Sequence, residues 1–451
     1  MESTTVAAIA TPLVTGGIGI VRISGPDAIT IADKVFRGSR KLCDLKGYEA
    51  CFGHVYSGEE KLDECVALVF RAPRSFTGEN VAELSCHGGV YVVQQVLSAV
   101  LQAGALPAGA GEFTRRAFYH GKIDLTKAEA IADIISADGK AALAAAVSMK
   151  DGALYKLCGD IAGRLTTLLG SLAAWADFPD EDIPFVDDDD IAQTLLHAKS
   201  ALEKLEETYP AVTAVKGGVS VAVAGKPNAG KSSLLNRLCG KDRSIVTHIA
   251  GTTRDVVEET VEVGGITLRL FDTAGIRDTD DEIEAMGVQR SRRAIETSDL
   301  VLFVADGGKP MDEEDKEILA AIGDKPCICV LNKSDLPQMV EASQFGDHPA
   351  VQISAATGDG MEELTAQLTN LLKAYAFDPS APLIANARQL ACVKGALAAV
   401  EQAQLDLRFG QTYDIITVSI ESALEHLLTL TGQQVSETII DDVFSRFCVG
   451  K

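Results

Sequence analysis

Residues 225–232 read GKPNAGKS and have the residue types and spacing of a phosphate-binding loop. Its glycines let backbone N–H groups turn inward around phosphate oxygens. Lys231 would reach the outer phosphates, and the Ser232 hydroxyl would bind Mg²⁺. An ordinary glycine turn is the alternative. The apolar alternation of 219–224 and the helical pattern from Ser233 onwards favour the phosphate site, because such a loop joins a strand to a helix.

A second strand-like segment, 266–271, also ends in residues suited to a bound triphosphate. It is followed by Asp272, Thr273, Ala274 and Gly275. Asp272 is suited to holding Mg²⁺ through water, and the N–H of Gly275 to meeting the terminal phosphate. We therefore predict that the two segments serve one nucleotide.

The sequence NKSD at 332–335 predicts which base is bound. Asp335 can accept hydrogen bonds from two N–H groups on one edge of guanine, which adenine does not offer, and the aliphatic stem of Lys333 can cover the ring. The backbone after the strand-like segment 351–354 is expected to contact the base, through Ser354, Ala355 and Ala356. All these sites follow apolar strands in order, which predicts an α/β domain that binds GTP.

The residue that orients water in many small GTPases is a glutamine directly after DTAG, and here that position is Ile276. Another group must therefore offset the charge of the transition state, a role worth about 10³ to 10⁵ in rate for an arginine finger. A cation held by the side-chain carbonyl of Asn228 and by main-chain carbonyls of the loop 241–252 could supply it. Thr253 would then bind Mg²⁺ and the γ-phosphate.

The remaining elements must position these residues. The chain has 451 residues, of which 47% are hydrophobic, enough for several domains. Residues 1–118 alternate between strand and helix patterns, which predicts an α+β domain. Helical patterns fill 119–216 and 380–451, and two half-bundles most simply pack on each other. We therefore predict that the α/β domain, 217–379, is inserted into an all-α helical domain.

The formal net charge of −23 opposes unaided wrapping of nucleic acid, so any RNA contact must be local or supplied by a partner. The acidic stretch 177–190 reads as a solvated loop, with a cation site as the alternative. Ten scattered cysteines indicate buried thiols in a reducing cytosol. No apolar run approaches the ~20 residues of a bilayer span. We expect a cytoplasmic protein that does not enter a membrane.

Motifs along nearly the whole chain resemble those of the MnmE (TrmE) family of tRNA modification GTPases. The motifs are ATPLVTGGIGIVRISG, FTGENVAELSCHGG, GEFTRRAF, KIDLTKAEAIADII, DFPDEDI, GKPNAGKSSLLN, IAGTTRD, DTAGIR, NKSD and the terminal FCVGK. The combination is far more specific than any single GTPase motif. One departure is that 10–17 lacks the arginine that members often have before the glycine pair.

The resemblance implies how the GTP site is completed. K⁺ would be bound by Asn228, Thr247, Ile249 and Thr252, in the place of an arginine finger. The catalytic glutamate of the family falls on Glu284, which the residues alone would class as an exposed helix residue. The implied nucleotide contacts are Asn228, Ala229, Gly230, Lys231, Ser232, Ser233, Thr247, Thr253, Asp272, Thr273, Ala274, Gly275, Asn332, Lys333, Asp335, Ser354, Ala355 and Ala356, with Ser232 and Thr253 as Mg²⁺ ligands.

The resemblance also implies that the first domain binds a folate and pairs head to head with a second copy. The folate is 5,10-methylene- or 5-formyl-tetrahydrofolate, and the implied contacts are Arg22, Glu83, Lys122 and the terminal Lys451. From residue type alone, Arg22 and Glu83 would each be an isolated charged side chain on a strand, pointing to water. Cys448 would belong to the modification centre, with a plain buried helix-end thiol as the alternative.

The function implied is that of a homodimeric, potassium-stimulated GTPase acting on tRNA. It would work with a flavin- and NADH-dependent partner of the MnmG (GidA) family in a heterotetramer-type complex. The joint reaction would place an aminomethyl or carboxymethylaminomethyl group on C5 of the wobble uridine. Two alternatives stay open at this point. They are a regulatory G protein in ribosome assembly, and a folate-dependent enzyme with a vestigial GTPase domain.

Overall fold

The computed structural model describes residues 4–177, 187–241, 258–272 and 294–451. The chain divides into two units. The first contains Met1–Ile135, Met149–Leu202 and Ala391–Lys451, and the second contains Ser136–Ser148 and Glu203–Leu390. Among the described residues, no helix combines the length and apolarity that a bilayer crossing requires.

Strands and helices follow the periodicities of the sequence. The strands are β1 Val6–Ile9, β2 Ile18–Ser24, β3 Phe36–Gly38, β4 Glu49–Ser57, β5 Glu60–Phe70, β6 Val81–His87, β7 Leu106–Pro107, β8 Val219–Ala224, β9 Glu258–Val263, β10 Ile266–Asp272, β11 Leu300–Asp306, β12 Cys327–Asn332 and β13 Ala350–Gln352. The helices are α1 Ala28–Val35, α2 Val90–Gln102, α3 Glu112–Tyr119, α4 Leu125–Ser136, α5 Lys140–Lys150, α6 Ala153–Asp177, α7 Asp188–Glu206, α8 Tyr209–Gly217, α9 Lys231–Lys241, α10 Glu313–Ile322, α11 Met361–Leu372, α12 Ala387–Arg408, α13 Tyr413–Thr431 and α14 Glu437–Ser445.

The first unit contains a seven-stranded sheet in the order β3-β4-β5-β6-β2-β1-β7. Its strands alternate between a buried and a more open face, as β4 shows: Cys51 and Val55 are buried, whereas Phe52 is 59% exposed. Helices α1 and α2 cover the buried face, and their apolar side chains share one core with it. Half-burial on one face is what produces the period-two pattern in the sequence.

The end of the chain returns to the beginning within this unit. Ala110 forms a β-bridge with Val449, and the N–H of Phe113 donates to the carbonyl of Lys451 at 3.0 Å. Helix α14 packs against α3 and α4 through a small apolar cluster around Phe444. The last residues are therefore part of the wall of the first domain.

The second unit is built on a six-stranded sheet in the order β13-β12-β11-β8-β10-β9, parallel except for β9. Every residue of β8 is buried, as in a parallel sheet covered on both faces. In parallel strands the carboxyl ends meet at one edge, so the described loops after β8, β11, β12 and β13 converge there. Residues 136–148 join this unit, where the N–H of Ala141 donates to the carbonyl of Gly265 at 3.0 Å.

All ten cysteines are free thiols, as the sequence predicted. Burial raises the pKa of Cys65 to about 12 and that of Cys86 to about 11, so both are protonated and unreactive near neutral pH. Cys43 and Cys448 are exposed, so the prediction of buried thiols is wrong for these two. The alternative that Cys448 is a buried thiol is therefore wrong, because the chain leaves α14 before this residue and carries it to the surface.

Candidate functional site

The loop 225–230 joins β8 to α9 and depends on glycine at two places. Gly225 has φ +142°, and a Cβ there would lie 2.1 Å from the carbonyl oxygen of Val304. Gly230 has φ +97°, and its Cβ would lie 2.0 Å from Nδ2 of Asn332. Neither position has room for a side chain. The loop is therefore pressed against the ends of β11 and β12, with the positive end of α9 directed at it.

Lys231 is the first residue of α9 and is only 5% exposed. Its ammonium donates to the carbonyls of Gly225 at 2.6 Å and Lys226 at 2.8 Å, so the side chain curls back over the loop. Ser232 and Ser233 follow on the exposed first turn of α9. Asn228 is exposed and has φ +63°, a left-handed conformation that asparagine tolerates better than most residues. This arrangement suits a polyphosphate.

Asn332 connects the phosphate loop to the next loop of the site. Its side chain is buried, donates from Nδ2 to the carbonyl of Ala229 at 2.8 Å and accepts at Oδ1 from the N–H of Ala355 at 3.0 Å. A single amide side chain therefore bridges two loops that are distant in the sequence. Its hydrogen bonds fix the distance between the predicted phosphate and base sites.

Lys333 is held in place by the end of the neighbouring strand. It has φ +64°, and its ammonium lies 2.7 Å from Oδ2 of Asp306 at the end of β11. Burial would raise the pKa of Asp306, but hydrogen bonds from Lys333 and from the N–H of Gly308 outweigh it and hold that pKa below its usual range. With its charged end fixed, Lys333 can present its aliphatic stem to a ring.

Asp335 lies at the exposed rim of the same edge. Its Oδ1 accepts a hydrogen bond from the hydroxyl of the buried Ser354 at 2.7 Å. Arg237 of α9 supports the loop from behind, since it donates to the carbonyls of Ala355 at 3.2 Å and Ala356 at 2.6 Å. The structure thus brings together the predicted base-contacting residues of 332–335 and 354–356.

Three supporting residues were missed by the sequence reasoning. Besides Arg237, they are Gln338, which donates to the carbonyl of Lys333 at 3.0 Å, and Lys226, whose ammonium contacts Asp312 at 2.5 Å and Asp315 at 3.0 Å. Burial would lower the pKa of Lys226, but the hydrogen bonds to these two carboxylates outweigh burial and raise it. Arg237 and Lys226 act on segments distant in sequence, so no local pattern marks them. Gln338 acts on a residue only five positions away, within an irregular loop whose hydrogen bonds the sequence does not predict.

Several predicted site residues lie outside the described part of the chain. They are Thr247, Ile249, Thr252, Thr253, Thr273, Ala274, Gly275 and Glu284. Asp272 is the last residue of β10, and its backbone lies opposite Val223 of β8. Its side chain is not among the described ones. The predicted K⁺ set is therefore described only at Asn228, and the predicted Mg²⁺ set only at Ser232.

The first unit holds a second cluster of predicted residues. Arg22 of β2 and Glu83 of β6 are directly paired in register, with Nε 2.8 Å from Oε1. Their side chains are only 21% and 18% exposed, so they pair with each other instead of pointing singly to water. Arg22 also donates to the carbonyl of Gly450 at 3.4 Å, and its guanidinium lies 5.5 Å from the ring centroid of Phe113. The site is a part-buried ion pair beneath the chain terminus.

The other predicted residues of this cluster lie around the pair. Lys451 is half-buried, and its carbonyl accepts from the N–H of Phe113, which places its backbone beside the Arg22 neighbourhood. Lys122 is exposed and donates to the carbonyl of Pro73 at 3.0 Å. Cys448 is exposed, and its carbonyl accepts from the N–H of Gly111. Arg22, Glu83 and the terminal backbone are together, and Lys122 lies on an adjoining loop.

Two family models together match nearly the whole chain. Residues 5–122 match the model described as GTP-binding protein TrmE N-terminus, and residues 125–448 match the MnmE helical domain. The chain belongs to the MnmE (TrmE) family of tRNA modification GTPases. The fold class predicted from the sequence is thereby confirmed: an α+β TrmE domain, a helical domain and a P-loop GTPase domain.

Relatives within the MnmE family match from end to end. The tRNA modification GTPase MnmE of Symbiobacterium thermophilum is 41% identical over 459 residues, covering 100% of both chains. That of Geobacter metallireducens is 41% identical over 453 residues, covering 99% of both. Among solved structures, the G domain of the T. maritima FeoB iron transporter is 28% identical over 35% of this chain and 99% of that chain, with a TM-score of 0.27. As an MnmE family member, the chain is a GTPase of tRNA modification.

Proposed function

We propose that the protein is a potassium-stimulated GTPase that, with a flavin- and NADH-dependent partner of the MnmG (GidA) family, modifies C5 of the wobble uridine of certain tRNAs. The observation that carries this proposal is the presence of two separate sites in a chain related to MnmE proteins over its full length. One site suits GTP, and the other is a part-buried arginine and carboxylate pair that contacts the backbone of Gly450. The two sites would do different parts of one reaction.

The GTP site supports guanine selection and a Mg²⁺-bound triphosphate. Asp335 would accept from the guanine edge while Ser354 orients its carboxylate, and Lys333 would cover the ring. Lys231 would turn from the loop carbonyls to the phosphates, and Ser232, Thr253 and Asp272 would hold Mg²⁺ directly or through water. In this assignment the carboxylate accepts from N–H groups, the ammonium contacts phosphate oxygens, and the hydroxyls and the second carboxylate bind the metal ion.

Hydrolysis would depend on K⁺ and on Glu284. The exposed Asn228 could offer its side-chain carbonyl to a monovalent cation, with Thr247, Ile249 and Thr252 as the other ligands. Gly275 would hold the γ-phosphate, and Glu284 would act on the attacking water. Closure of two such domains around the phosphates, and their release after hydrolysis, would couple GTP turnover to the modification.

The first domain would bind 5,10-methylene- or 5-formyl-tetrahydrofolate. Arg22 suits the acidic or carbonyl groups of a folate, and Glu83 suits the N–H donors of its pterin ring. Lys122 and Lys451 would add positive charge around the ligand, and the exposed Cys448 would lie near the modification centre. The ligand would have to insert beside an existing ion pair.

We further propose the domain limits 1–118, 119–216, 217–379 and 380–451, with the helical domain in two parts. A head-to-head homodimer through the first domain, a heterotetramer-type complex with the partner, and a cytoplasmic location complete the proposal. The match of 5–122 to one family model supports the limit proposed for the first domain. The division into two units differs from the other limits, since it groups 136–148, 203–216 and 380–390 with the second unit.

Nucleoside analysis of tRNA from cells lacking this chain tests the proposal. We expect loss of the aminomethyl-type group from the wobble uridine and its return when the chain is supplied again. An unchanged wobble uridine together with co-sedimentation of the chain with ribosomes would favour a role in ribosome assembly instead.

The GTPase mechanism has its own test. The hydrolysis rate should be much higher in potassium than in sodium, and Asn228→Ala should remove that difference while GTP still binds. Equal rates in the two salts for the parent chain would contradict the role of K⁺. Asp335→Asn should shift binding from GTP towards a xanthine nucleotide, and unchanged selectivity would contradict the proposed recognition of guanine.

A further inference from the structure

Positive charge is concentrated at one place on the first unit of this acidic chain. The sheet edge at β3, the loop after it and the turn after β5 carry a group of cationic side chains that we call the basic strip. It consists of Arg37, Arg40, Lys41, Lys46, Arg71, Arg74 and Lys122. Acidic neighbours are fewer, namely Asp33, Asp44, Glu49, Glu59 and Glu60. The contrast with a net charge of −23 marks the strip as a local exception.

Hydrogen bonds hold the parts of the basic strip together. Arg71 donates from Nε to the carbonyl of Leu45 at 2.9 Å and from Nη2 to that of Cys43 at 2.7 Å. Lys122 donates to the carbonyl of Pro73 at 3.0 Å. The loop 39–48, the turn 71–74 and Lys122 are therefore one continuous surface, although the sequence separates them.

Several cations of the strip are available to a ligand. The side chains of Lys41 and Arg74 are exposed and form no ion pair or hydrogen bond within the part of the chain that the structure describes. Arg37 pairs with Glu59 and Arg40 with Glu49, each at 3.1 Å on the surface. Exposed pairs of this kind are weak in water, so these arginines can exchange a carboxylate for a phosphate.

An aromatic residue stands among these cations. Tyr48 is 63% exposed, and its ring meets Phe70 edge to face with centroids 5.3 Å apart. Its φ is +66°, and its N–H donates to the carbonyl of Val69 at 2.7 Å, so its backbone is fixed. An exposed ring on a rigid support can stack on an unpaired base at low entropic cost.

We propose that the basic strip binds the phosphate backbone of RNA and that Tyr48 stacks on an unpaired base of the same RNA. Clustered cations around an exposed aromatic ring are the combination that recognises a single-stranded loop. The inference rests on the proposed function and adds the surface that the substrate occupies. Lys122 belongs both to the strip and to the proposed folate contacts. An RNA loop on the strip would therefore lie next to the carbon donor.

The first test removes the two cations that have no partner among the described residues. The double variant Lys41→Gln/Arg74→Gln of the full chain is titrated against a fluorescently labelled, unmodified tRNA over a range of salt concentrations. The slope of log K against log salt should fall by about 1.4 to 1.8, and affinity at 0.1 M salt should fall at least roughly tenfold. The matched control is Lys156→Gln/Arg408→Gln, which removes the same two residue types from exposed positions on α6 and α12. It should leave both values unchanged.

The second test separates stacking from charge. Tyr48→Leu should weaken tRNA binding roughly fivefold or more while leaving the salt slope as it was, since stacking does not release counterions. Equal tRNA affinity in the parent chain, the charge variant and the Tyr48 variant would overturn the proposal. So would loss of the homodimer or of partner binding in the charge variant, because the strip would then be a protein interface.

RNA binding by the strip and the proposed function can fail separately. If the parent chain supports wobble modification and the strip variants do so equally well, the strip assignment fails and the function stands. If the parent chain neither binds tRNA nor affects the wobble uridine, the proposed function fails first. GTP hydrolysis and binding of 5-formyl-tetrahydrofolate should be unchanged in Lys41→Gln/Arg74→Gln, which shows that the fold and both small-molecule sites are intact.

Discussion

The nucleotide site and the Arg22 site are assembled in opposite ways. In the second unit, the described site residues come from short motifs at the ends of neighbouring parallel strands, and one buried amide, Asn332, links two of the loops. In the first unit, Arg22 meets Glu83 across 61 residues and Gly450 across 428. The first arrangement repeats a local rule at each strand end, whereas the second depends on how distant parts of the chain meet.

This difference implies that the two sites should fail separately. Loss of a loop contact should weaken nucleotide binding without changing ligand binding by the first domain. Loss of a long-range contact should damage the first domain and spare GTP hydrolysis in the second unit. Single substitutions in each site can test this separation.

Asn332→Ala should give the largest loss. The carbonyl of Ala229 and the N–H of Ala355 would lose a buried partner, which costs about 1 to 3 kcal/mol for each unsatisfied group. We expect GTP affinity to fall roughly 30-fold or more, measured by calorimetry, with folate binding unchanged. The control Asn370→Ala removes an exposed asparagine on α11 and should bind GTP normally. An equal loss of folate binding would show that the sites are not separate.

Arg22→Gln tests the other side of the comparison. The change removes a charge-assisted hydrogen bond worth about 1.5 to 3 kcal/mol, so 5-formyl-tetrahydrofolate should bind roughly tenfold more weakly or worse. The GTPase rate should stay at the parental value. Arg164→Gln breaks an exposed pair with Asp160 on α6 and serves as the control. Parental folate affinity in Arg22→Gln would remove this residue from the ligand site.

Gly450→Ala should reveal the contribution of the chain terminus. The residue has φ +100°, and a Cβ would lie 2.1 Å from the carbonyl oxygen of Ile9. Gly410→Ala is the matched control, because Gly410 has φ +65° but open space around it. We expect the free energy of unfolding of the Gly450 variant to fall by about 1 to 3 kcal/mol, and by more than that of the control. Equal losses would mean that left-handed backbone strain alone is being measured.

The smallest effect concerns a titrating pair on the first unit. Nδ1 of His87 lies 2.8 Å from Oδ1 of Asp63, and this hydrogen bond raises the pKa of His87 above its ordinary value of about 6.5. Asp63→Asn should return the pKa towards that value in an NMR titration. Any stability from the pair is complete below the unfolded-state pKa and is lost as pH rises through the raised one. Asp151→Asn, at an exposed site, should not shift it.

Much of the fold could be predicted from the sequence because it follows local periodicity. The apolar segment 219–224 forms the fully buried strand β8. The alanine- and leucine-rich stretch from Leu125 forms α4 to α6. The phosphate loop could be predicted equally well, because its glycines, lysine and serine lie in one contiguous segment of the sequence. Local chemistry and local structure agree in these segments.

Most of the contacts that the sequence did not predict are long-range. Arg22 and Glu83 each looked like a solvated strand charge, and only the register of β2 against β6 pairs them. Arg237 lies in an ordinary helix pattern, and its contact with the loop at 355–356 follows from the packing of the second unit. The basic strip was hidden for the same reason, because its cations are scattered from 37 to 122.

The contact between Arg22 and Gly450 also sets an order of events during synthesis. A ribosome adds about 5 to 20 residues per second, so the 428 residues between them correspond to roughly 20 to 90 s. Throughout that interval β2 and β6 can pair, but the wall formed by the last residues does not exist. A nascent polypeptide would therefore hold the paired Arg22 and Glu83 without their covering segment until translation has passed residue 450.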